Sequence, residues 1–299
     1  MKTVRIAVVG SLNMDLVVSM SRMPKIGETL QGDELHTIPG GKGANQAVGC
    51  AKLGAQVSMI GAVGQDGFGD VLLAQMTAHG IHTEAIVRRE DCSTGTATIL
   101  HTKDDNCIVI VSGANGKVTP EQVHEHAQLI QEADAVLVQL EIPLPAVQAA
   151  LEIAREAGVR TVLNPAPAIE LPTELLQLVD FITPNETEFE LISGGSYTNE
   201  HELLAGMQQW ETAGPRLLLT RGEKGVAMLA EGKLTTIPAP RVQVVDTTGA
   251  GDACNAAFTV ALAQGKEVLE AATIAVKAAS LSVTRFGAQA GMPLLAELS

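Results

Sequence analysis

Two stretches of this chain gather residues that could do chemistry. Asp246-Thr247-Thr248-Gly249-Ala250-Gly251-Asp252 sets acids at both ends of a segment holding two hydroxyls and a Gly-Ala-Gly turn. The β-branched run Val242-Gln243-Val244-Val245 precedes it, and Cys254, Ala257, Phe258 and Ala261 follow at helical spacing. The second stretch is Pro39-Gly40-Gly41-Lys42-Gly43-Ala44-Asn45, after which Ala44, Ala47, Val48 and Ala51 mark the face of a helix. Strand, glycine turn and helix N-terminus together aim backbone N–H groups and a partial positive charge at one anion. An acid such as Asp252 repels a phosphate there, unless its task is to take the proton from a hydroxyl attacking that phosphate. Acids also cap helices well. Spacing alone serves both readings.

Composition narrows the field. The chain has 299 residues, 46% apolar and 18% charged, which suits one large α/β domain with a small appended element. Aromatics are only 2%, so the core is aliphatic and a base-stacking platform is not expected. A net charge of −14 argues against nucleic acid, whose phosphates need clustered Lys and Arg. An anionic substrate must then be held by glycine turns, helix ends or a metal ion. Cys50, Cys92, Cys107 and Cys254 are far apart, as expected of reduced thiols in the cytoplasm. The N-terminal apolar run is too short for a signal peptide, and no stretch nears the roughly 18 apolar residues of a membrane span.

The positioning elements follow from periodicity. Strands are expected at 6–10, 56–60, 135–140, 160–163, 181–183, 216–220 and 226–229, and at 242–245 before the acidic turn. Helices are expected at 44–51, 68–78, 120–132, 143–156, 202–212, 252–263 and 267–284. Apolar strands alternating with helices predict a parallel sheet covered on both faces. Short strands at 16–20, 28–30 and 33–38, with a hairpin of 94–102 and 106–112 around Lys103-Asp104-Asp105, predict a small separate sheet. Ligands of such folds bind beyond the carboxyl ends of the strands. Asn13, Asp15, Glu141, Asn164, Asn185, Thr220, Gly222 and the 246–252 turn fall at those ends. That placement favours the reactive reading of Asp252.

No G-x-x-x-x-G-K-[ST], no G-x-G-x-x-G after the first strand, no G-x-S-x-G and no His/Cys metal pattern occurs. Two glycine turns with acids near both suggest two substrates meeting, one bearing phosphates and one bearing hydroxyls. Phosphoryl transfer to a polyol fits. Both turns resemble the two signatures of the ribokinase-like (PfkB) carbohydrate kinases. Asn164-Pro165-Ala166-Pro167-Ala168, Thr183-Pro184-Asn185-Glu186-Thr187-Glu188 and Phe286-Gly287-Ala288-Gln289 extend the resemblance from Val8 to about Pro293.

The resemblance implies a single ribokinase-like domain over 1–299, a three-layer α/β/α sandwich with a mostly parallel sheet. It also implies a lid of strands from about 12–38 and 94–112 that pairs two subunits into a homodimer. The implied activity is ATP-dependent phosphorylation of the 5-hydroxyl of D-ribose. Asp252 matches the general base, and Gly249, Ala250 and Gly251 the anion hole. Asn13, Asp15, Gly41, Lys42, Gly43, Ala44, Asn45 and Glu141 match sugar-contacting positions. Asn185, Thr220, Arg221, Gly222, Glu223, Lys224 and Gly225, with Gly251 and Asp252, match the nucleotide side. Asn185 and Glu188 match the element that helps place Mg2+. Asp246, Thr248, Ser282, Arg285, Gly287 and Gly291 match the loops around a monovalent cation, usually K+, mostly through backbone carbonyls. Gly291 stands where some relatives have serine, so that side-chain ligand is absent.

Bland readings accompany these. Asn185 with its acids could be only a capped helix start, and Lys42 a solvated charge. Glu141 could simply begin a helix, and Arg285 could be a surface charge. His36, His82 and His101 show no partner pattern and are expected at the surface. Val276 is the position suggested for adenine. The rivals are a kinase for 2-deoxyribose or another sugar of the same family, and a sensor that binds without catalysis.

Overall fold

The computed structural model describes residues 3–103 and 105–298. Asp104, in the expected hairpin turn, lies outside them. The first part of the chain runs β1 (Arg5–Val9), β2 (Asn13–Ser19), β3 (Glu34–Gly40), α1 (Lys42–Lys52), β4 (Gln56–Gly64), α2 (Gly67–Ala78), β5 (Ile86–Arg89), β6 (Gly95–His101) and β7 (Asn106–Val111). Next come α3 (Pro120–Glu125), α4 (Ala127–Gln131), β8 (Ala135–Val138), α5 (Leu144–Ala157), β9 (Arg160–Leu163), α6 (Thr173–Leu176), β10 (Phe181–Ile182) and α7 (Glu186–Ser193). The last part holds α8 (Glu200–Glu211), β11 (Arg216–Leu217), β12 (Leu219–Thr220), β13 (Val226–Ala230), β14 (Lys233–Ile237), α9 (Ala250–Ala263), α10 (Val268–Ser282) and α11 (Ala288–Gly291).

Seven strands form one sheet in the order β11-β10-β9-β8-β1-β4-β5, every pair parallel. Successive side chains of a strand point to opposite faces, so a sheet covered on both sides must be apolar throughout. Ile6 and Val8 of β1 enter one core with residues of α1, α9 and α10, while Ala7 and Val9 enter the other with residues of α5. Ala135 and Leu137 alternate with Val136 and Val138 in the same way. Each large aliphatic or aromatic side chain so buried contributes about 1.5–3 kcal/mol. The result is a three-layer α/β/α sandwich. Among the described residues, no helix is long and apolar enough to cross a membrane.

A second sheet, ordered β3-β2-β6-β7, stands apart from the first. Its β2–β3 and β6–β7 pairs are antiparallel and its β2–β6 pair is parallel. Only Gly10-Ser11-Leu12 separates β1 from β2, so Asn13 and Asp15 are carried just beyond the carboxyl end of the central strand. A third, antiparallel sheet, β12-β13-β14, takes the end of the run expected as one strand at 216–220. That run splits at Leu218, and β13 pairs by hairpin contact outside the parallel sheet.

Other differences have local causes. Residues 242–245 form no strand. Val244 and Val245 are more than half exposed, and the amides of Val245 and Asp246 both donate to the Val283 carbonyl, a turn tie with no ladder. Residues 28–30 are irregular as well. The helix expected over 120–132 is two, broken at His126, whose φ of −110° and ψ of 19° leave helical space. The edge strands β5 and β14 and the short helices α6 and α11 are additional to the expected set, and α7 is the capped helix that is one reading of Asn185 and its acids.

Candidate active site

The order of strands reverses at β1, with β4 and β5 on one side and β8 to β11 on the other. Such a switch point leaves a crevice at the carboxyl ends of the strands. Here the Ser11 hydroxyl, just past β1, donates to Glu141 Oε2 at 2.5 Å, just past β8. The Lys42 amide donates to the same oxygen at 3.0 Å, so Glu141 ties both strand ends to the start of α1. The glycines of this turn are dictated by contact. A methyl group at Gly41 would lie 2.7 Å from the Asn13 nitrogen, and one at Gly43 2.5 Å from the Ser11 nitrogen. Gly41 also has φ of 88°, a left-handed value that favours glycine. Asn13 is buried, its Oδ1 accepting from Asn115 Nδ2 at 2.7 Å.

Asp15 lies across from this turn, its carboxylate packed on Gly40. Burial, then the nearby Glu141 and Asp252, push its carboxyl up to about 7, with Lys42 pulling the other way. A carboxyl that changes protonation near neutral pH can either donate a hydrogen bond to a hydroxyl or accept one from it.

Asp252 sits in the first turn of α9 and is 7% exposed. Its two oxygens are fixed separately: Oδ2 accepts from Asn45 Nδ2 and Oδ1 from Gln46 Nε2, both at 2.9 Å. Gln46 also donates to Asn164 Oδ1 at 3.0 Å and accepts from Gln139 Nε2 at 2.6 Å. Burial pushes the Asp252 carboxyl up; Lys42, Asn45 and Gln46 restrain the rise and Glu141 adds to it. The outcome is a rigid carboxylate with raised proton affinity, the property of a general base.

Gly249, at φ 80°, turns the chain into α9. A methyl group there would lie 2.8 Å from Ala288 Cβ, whereas one at Gly251 would meet nothing within 4 Å. The Ala250 amide donates to the Thr247 carbonyl at 3.2 Å. The amides of Gly249, Gly251 and Asp252 have no backbone acceptor among the described residues, as expected at a helix start. The Thr247 amide, two residues before the Gly-Ala-Gly run, is without an acceptor among the described residues as well.

The nucleotide-side positions form a neighbouring cluster. Thr220 bridges Asn185 in parallel and donates its amide to the Pro184 carbonyl at 2.8 Å. Asn185 and Glu188 form a complete capping box: Asn185 Oδ1 accepts from the Glu188 amide and Glu188 Oε2 from the Asn185 amide, each at 2.8 Å. Glu188 Oε1 has no hydrogen bond among the described residues. Burial pushes the Glu188 carboxyl up, against its Asn185 bond and the field of Lys42. An oxygen left over beside that cap fits a hydrated divalent cation. Arg221 is buried and its guanidinium is spent on Glu186 at 3.0 Å and Glu200 at 2.6 Å, while its amide donates to the Gly225 carbonyl at 2.8 Å. Gly222, Glu223 and Lys224 form an exposed turn closed by Gly225, where a methyl group would strike the Ile237 carbonyl. Val276 is buried in the core cluster.

The cation positions also converge. Asp246 Oδ1 accepts from the Thr248 amide at 2.9 Å and Oδ2 from the Gly287 amide at 2.8 Å, clamping two loops together. Burial opposes ionisation of Asp246, but the Thr248 and Gly287 bonds outweigh it and hold the carboxyl below its usual range. A methyl group at Gly291 would lie 2.7 Å from the Ser282 carbonyl oxygen and 3.6 Å from that of Arg285. The Ser282 and Arg285 carbonyls thus converge beside Gly291, and the closer one leaves no room for a side chain there; carbonyl oxygens gathered in this way are the donor type that suits a monovalent cation. The Arg285 guanidinium turns away to Glu297. His36, His82 and His101 are exposed.

Sequence reasoning missed the buried amides. Gln46, Gln289 and Asn115 sit in helices or a helical turn and Gln139 at a strand end, and only their distant partners reveal them. A cavity of about 410 Å³ opens beside Asn13, Glu141, Asn115 and Ile110. A larger one, about 1060 Å³, lies among Arg155, Arg160, Asp180 and Arg216 and holds none of the expected site residues.

The sequence profile of the pfkB family carbohydrate kinases matches residues 4–295, and the chain belongs to that family. Within it, the chain is 43% identical to the ribokinase of Bacillus subtilis (strain 168) over 96% of each. It is 36% identical to the deoxyribokinase of Salmonella typhi, over 98% of this chain and 97% of that one. Its structure is similar to that of Arabidopsis thaliana ribokinase complexed with ribose and ATP, with a TM-score of 0.93, 34% identity, and 99% and 98% of the two chains covered.

Proposed function

We propose that this protein is a ribokinase, transferring the γ-phosphoryl group of ATP to the 5-hydroxyl of D-ribose. The observation that carries the reading is the junction of the two turns, where Asn45 of the first and Asp252 of the second are joined by a 2.9 Å hydrogen bond. Sugar and phosphate chemistry therefore meet at one buried carboxylate. Identity of 43% to a ribokinase across nearly the full chain supports the choice of sugar.

Ribose binds against Asn13, Asp15, the Gly41–Asn45 turn and Glu141, with its 5-hydroxyl at Asp252. Asp252 takes the hydroxyl proton as the oxygen attacks the γ-phosphorus. The bond from that phosphorus to the β,γ-bridging oxygen breaks, and ADP leaves with the electron pair. The free amides of Gly249, Gly251 and Asp252 stabilise the transferring group, as oriented donors do wherever charge develops. ATP lies along Asn185, Thr220 and the 221–225 turn. Asn185 and Glu188 would hold Mg2+, which offsets phosphate charge. Carbonyls of Asp246, Thr248, Ser282, Arg285 and Gly287 would hold K+ behind the turn.

The reading carries with it a homodimer paired through the small sheet. Ile108, Val109, Ile110 and Val111 of β7 are each at least half exposed, as a covered strand would be in a lone subunit. The four cysteines are free thiols, which suits the cytoplasm.

The test is a panel of sugars in a coupled ADP-release assay. D-ribose should exceed 2-deoxyribose in kcat/KM by about 10²-fold or more, because a site built for a hydroxyl strongly rejects the analogue lacking it. Equal use of both sugars would replace this reading by a deoxyribokinase, and sugar binding without ADP release would replace it by a sensor.

A further inference from the structure

Lys52 is the last residue of α1, the helix that opens at the sugar-side turn. Its ammonium, about half buried, donates to three main-chain carbonyls: Gln289 at 2.7 Å, Met292 at 3.1 Å and Ala290 at 3.4 Å. All three belong to α11 and the residue after it. A four-residue helix cannot satisfy its own last carbonyls, and here a single ammonium collects them. The titratable groups near Lys52 are His79 and the mutually paired Arg285 and Glu297. Its charge is therefore met mainly by carbonyl dipoles, as a bound cation's would be.

The turn so gripped touches three working parts. Gly287, its N-cap, donates to Asp246, and Gly291 flanks the Ser282 and Arg285 carbonyls. Ala288 packs on Gly249 of the anion turn. Gln289 Nε2 donates to Asn45 Oδ1 at 3.1 Å, and Asn45 holds Asp252.

We propose that Lys52 is a positioning residue, a tethered ammonium that presets the 287–292 turn so that the monovalent-cation loop is formed before a free cation arrives. This rests on the cation site of the proposed function. Ordering a loop residue costs about 1–2 kcal/mol, and a cation that must first order its own site binds more weakly in proportion to the fraction preformed. Lys52 removes that cost.

The experiment titrates KCl into the intact, substrate-free protein, with choline chloride holding ionic strength, and reads the melting temperature. Wild type, Lys52→Met and Lys52→Arg are compared. Expected is a K+ midpoint raised about tenfold in Lys52→Met, with recovery in Lys52→Arg. An unchanged midpoint in Lys52→Met, with wild type responding to K+, overturns the role of Lys52 alone. No K+ response in wild type overturns the cation site and this inference with it. Hydrogen exchange of the wild-type 287–292 amides keeps the idea testable should Lys52→Met not fold. Protection in choline buffer before K+ is added supports it, and protection only after K+ overturns it.

Discussion

At Gly43 an added methyl group would land 2.5 Å from the Ser11 nitrogen; at Gly251 it would meet nothing within 4 Å. Both glycines lie in turns that open a helix at the same end of the same sheet. The first is glycine because the protein's own backbone fills the space, and the turn is built into the β1–β2 junction. The second is not at positive φ and has no neighbour to avoid. Its missing side chain leaves open space beside a helix start whose Gly249, Gly251 and Asp252 amides have no acceptor among the described residues. On the proposed reading, the close-packed sugar-side turn is scaffold and the open turn is where the phosphoryl group would pass. Asp252 stands between them.

Substitutions can break or sharpen this contrast. The largest effect falls on the group the two turns share. Asp252→Asn should lower kcat by about 10²–10⁴-fold, roughly 3–5 kcal/mol of barrier, with the ribose Kd from calorimetry within a few-fold of wild type. Turnover near normal would remove Asp252 from the base role. Gly43→Ala and Gly251→Ala should then diverge in kind. Gly43→Ala should lose about 1–3 kcal/mol in urea unfolding through overpacking. Gly251→Ala should gain about 0.4–1 kcal/mol of stability while kcat falls about 10–100-fold through displacement of the transferring group. Equal stability losses in the two variants would erase the distinction between closed and open turns.

Asp15 adds a pH signature on the closed side. Its folded pKa of about 7 lies above the roughly 3.9 of an unfolded aspartate. Its contribution to stability is therefore complete below about pH 4 and lost as pH rises through about 7. Relative to wild type, ligand-free Asp15→Asn should gain in urea midpoint between pH 5 and pH 8; a constant difference would contradict the raised value. The smallest effect is at the nucleotide-side cap, where Asn185→Ala should cost about 1 kcal/mol of stability. A larger loss of ATP affinity than of stability would point to ligand contact beyond capping.

Much of this was legible in the sequence because local rules wrote it. The glycine turns, the alternating apolar strands and the polar residues at strand ends depend on spacings of a few residues, and the parallel sheet follows from them. What escaped depends on long-range meetings. Gln46 reaches Asp252 across 206 positions, and Gln289 reaches Asn45 across 244; no spacing carries such contacts. The valines at 242–245 misled for the opposite reason, since a β-branched run fits an extended loop as well as a strand. At Asn185 the cap and the ligand reading use the same residues, so their pattern alone does not separate them.

The central claim is phosphoryl transfer to the 5-hydroxyl of ribose at the junction of the two turns. Phosphorus and carbon NMR of the products, after incubation with D-ribose, ATP, Mg2+ and K+, tests it most directly. Expected is ADP formed in step with a monoester whose phosphorus couples to C5 of ribose. Free phosphate without an ester, or a phosphate on another carbon, would contradict it.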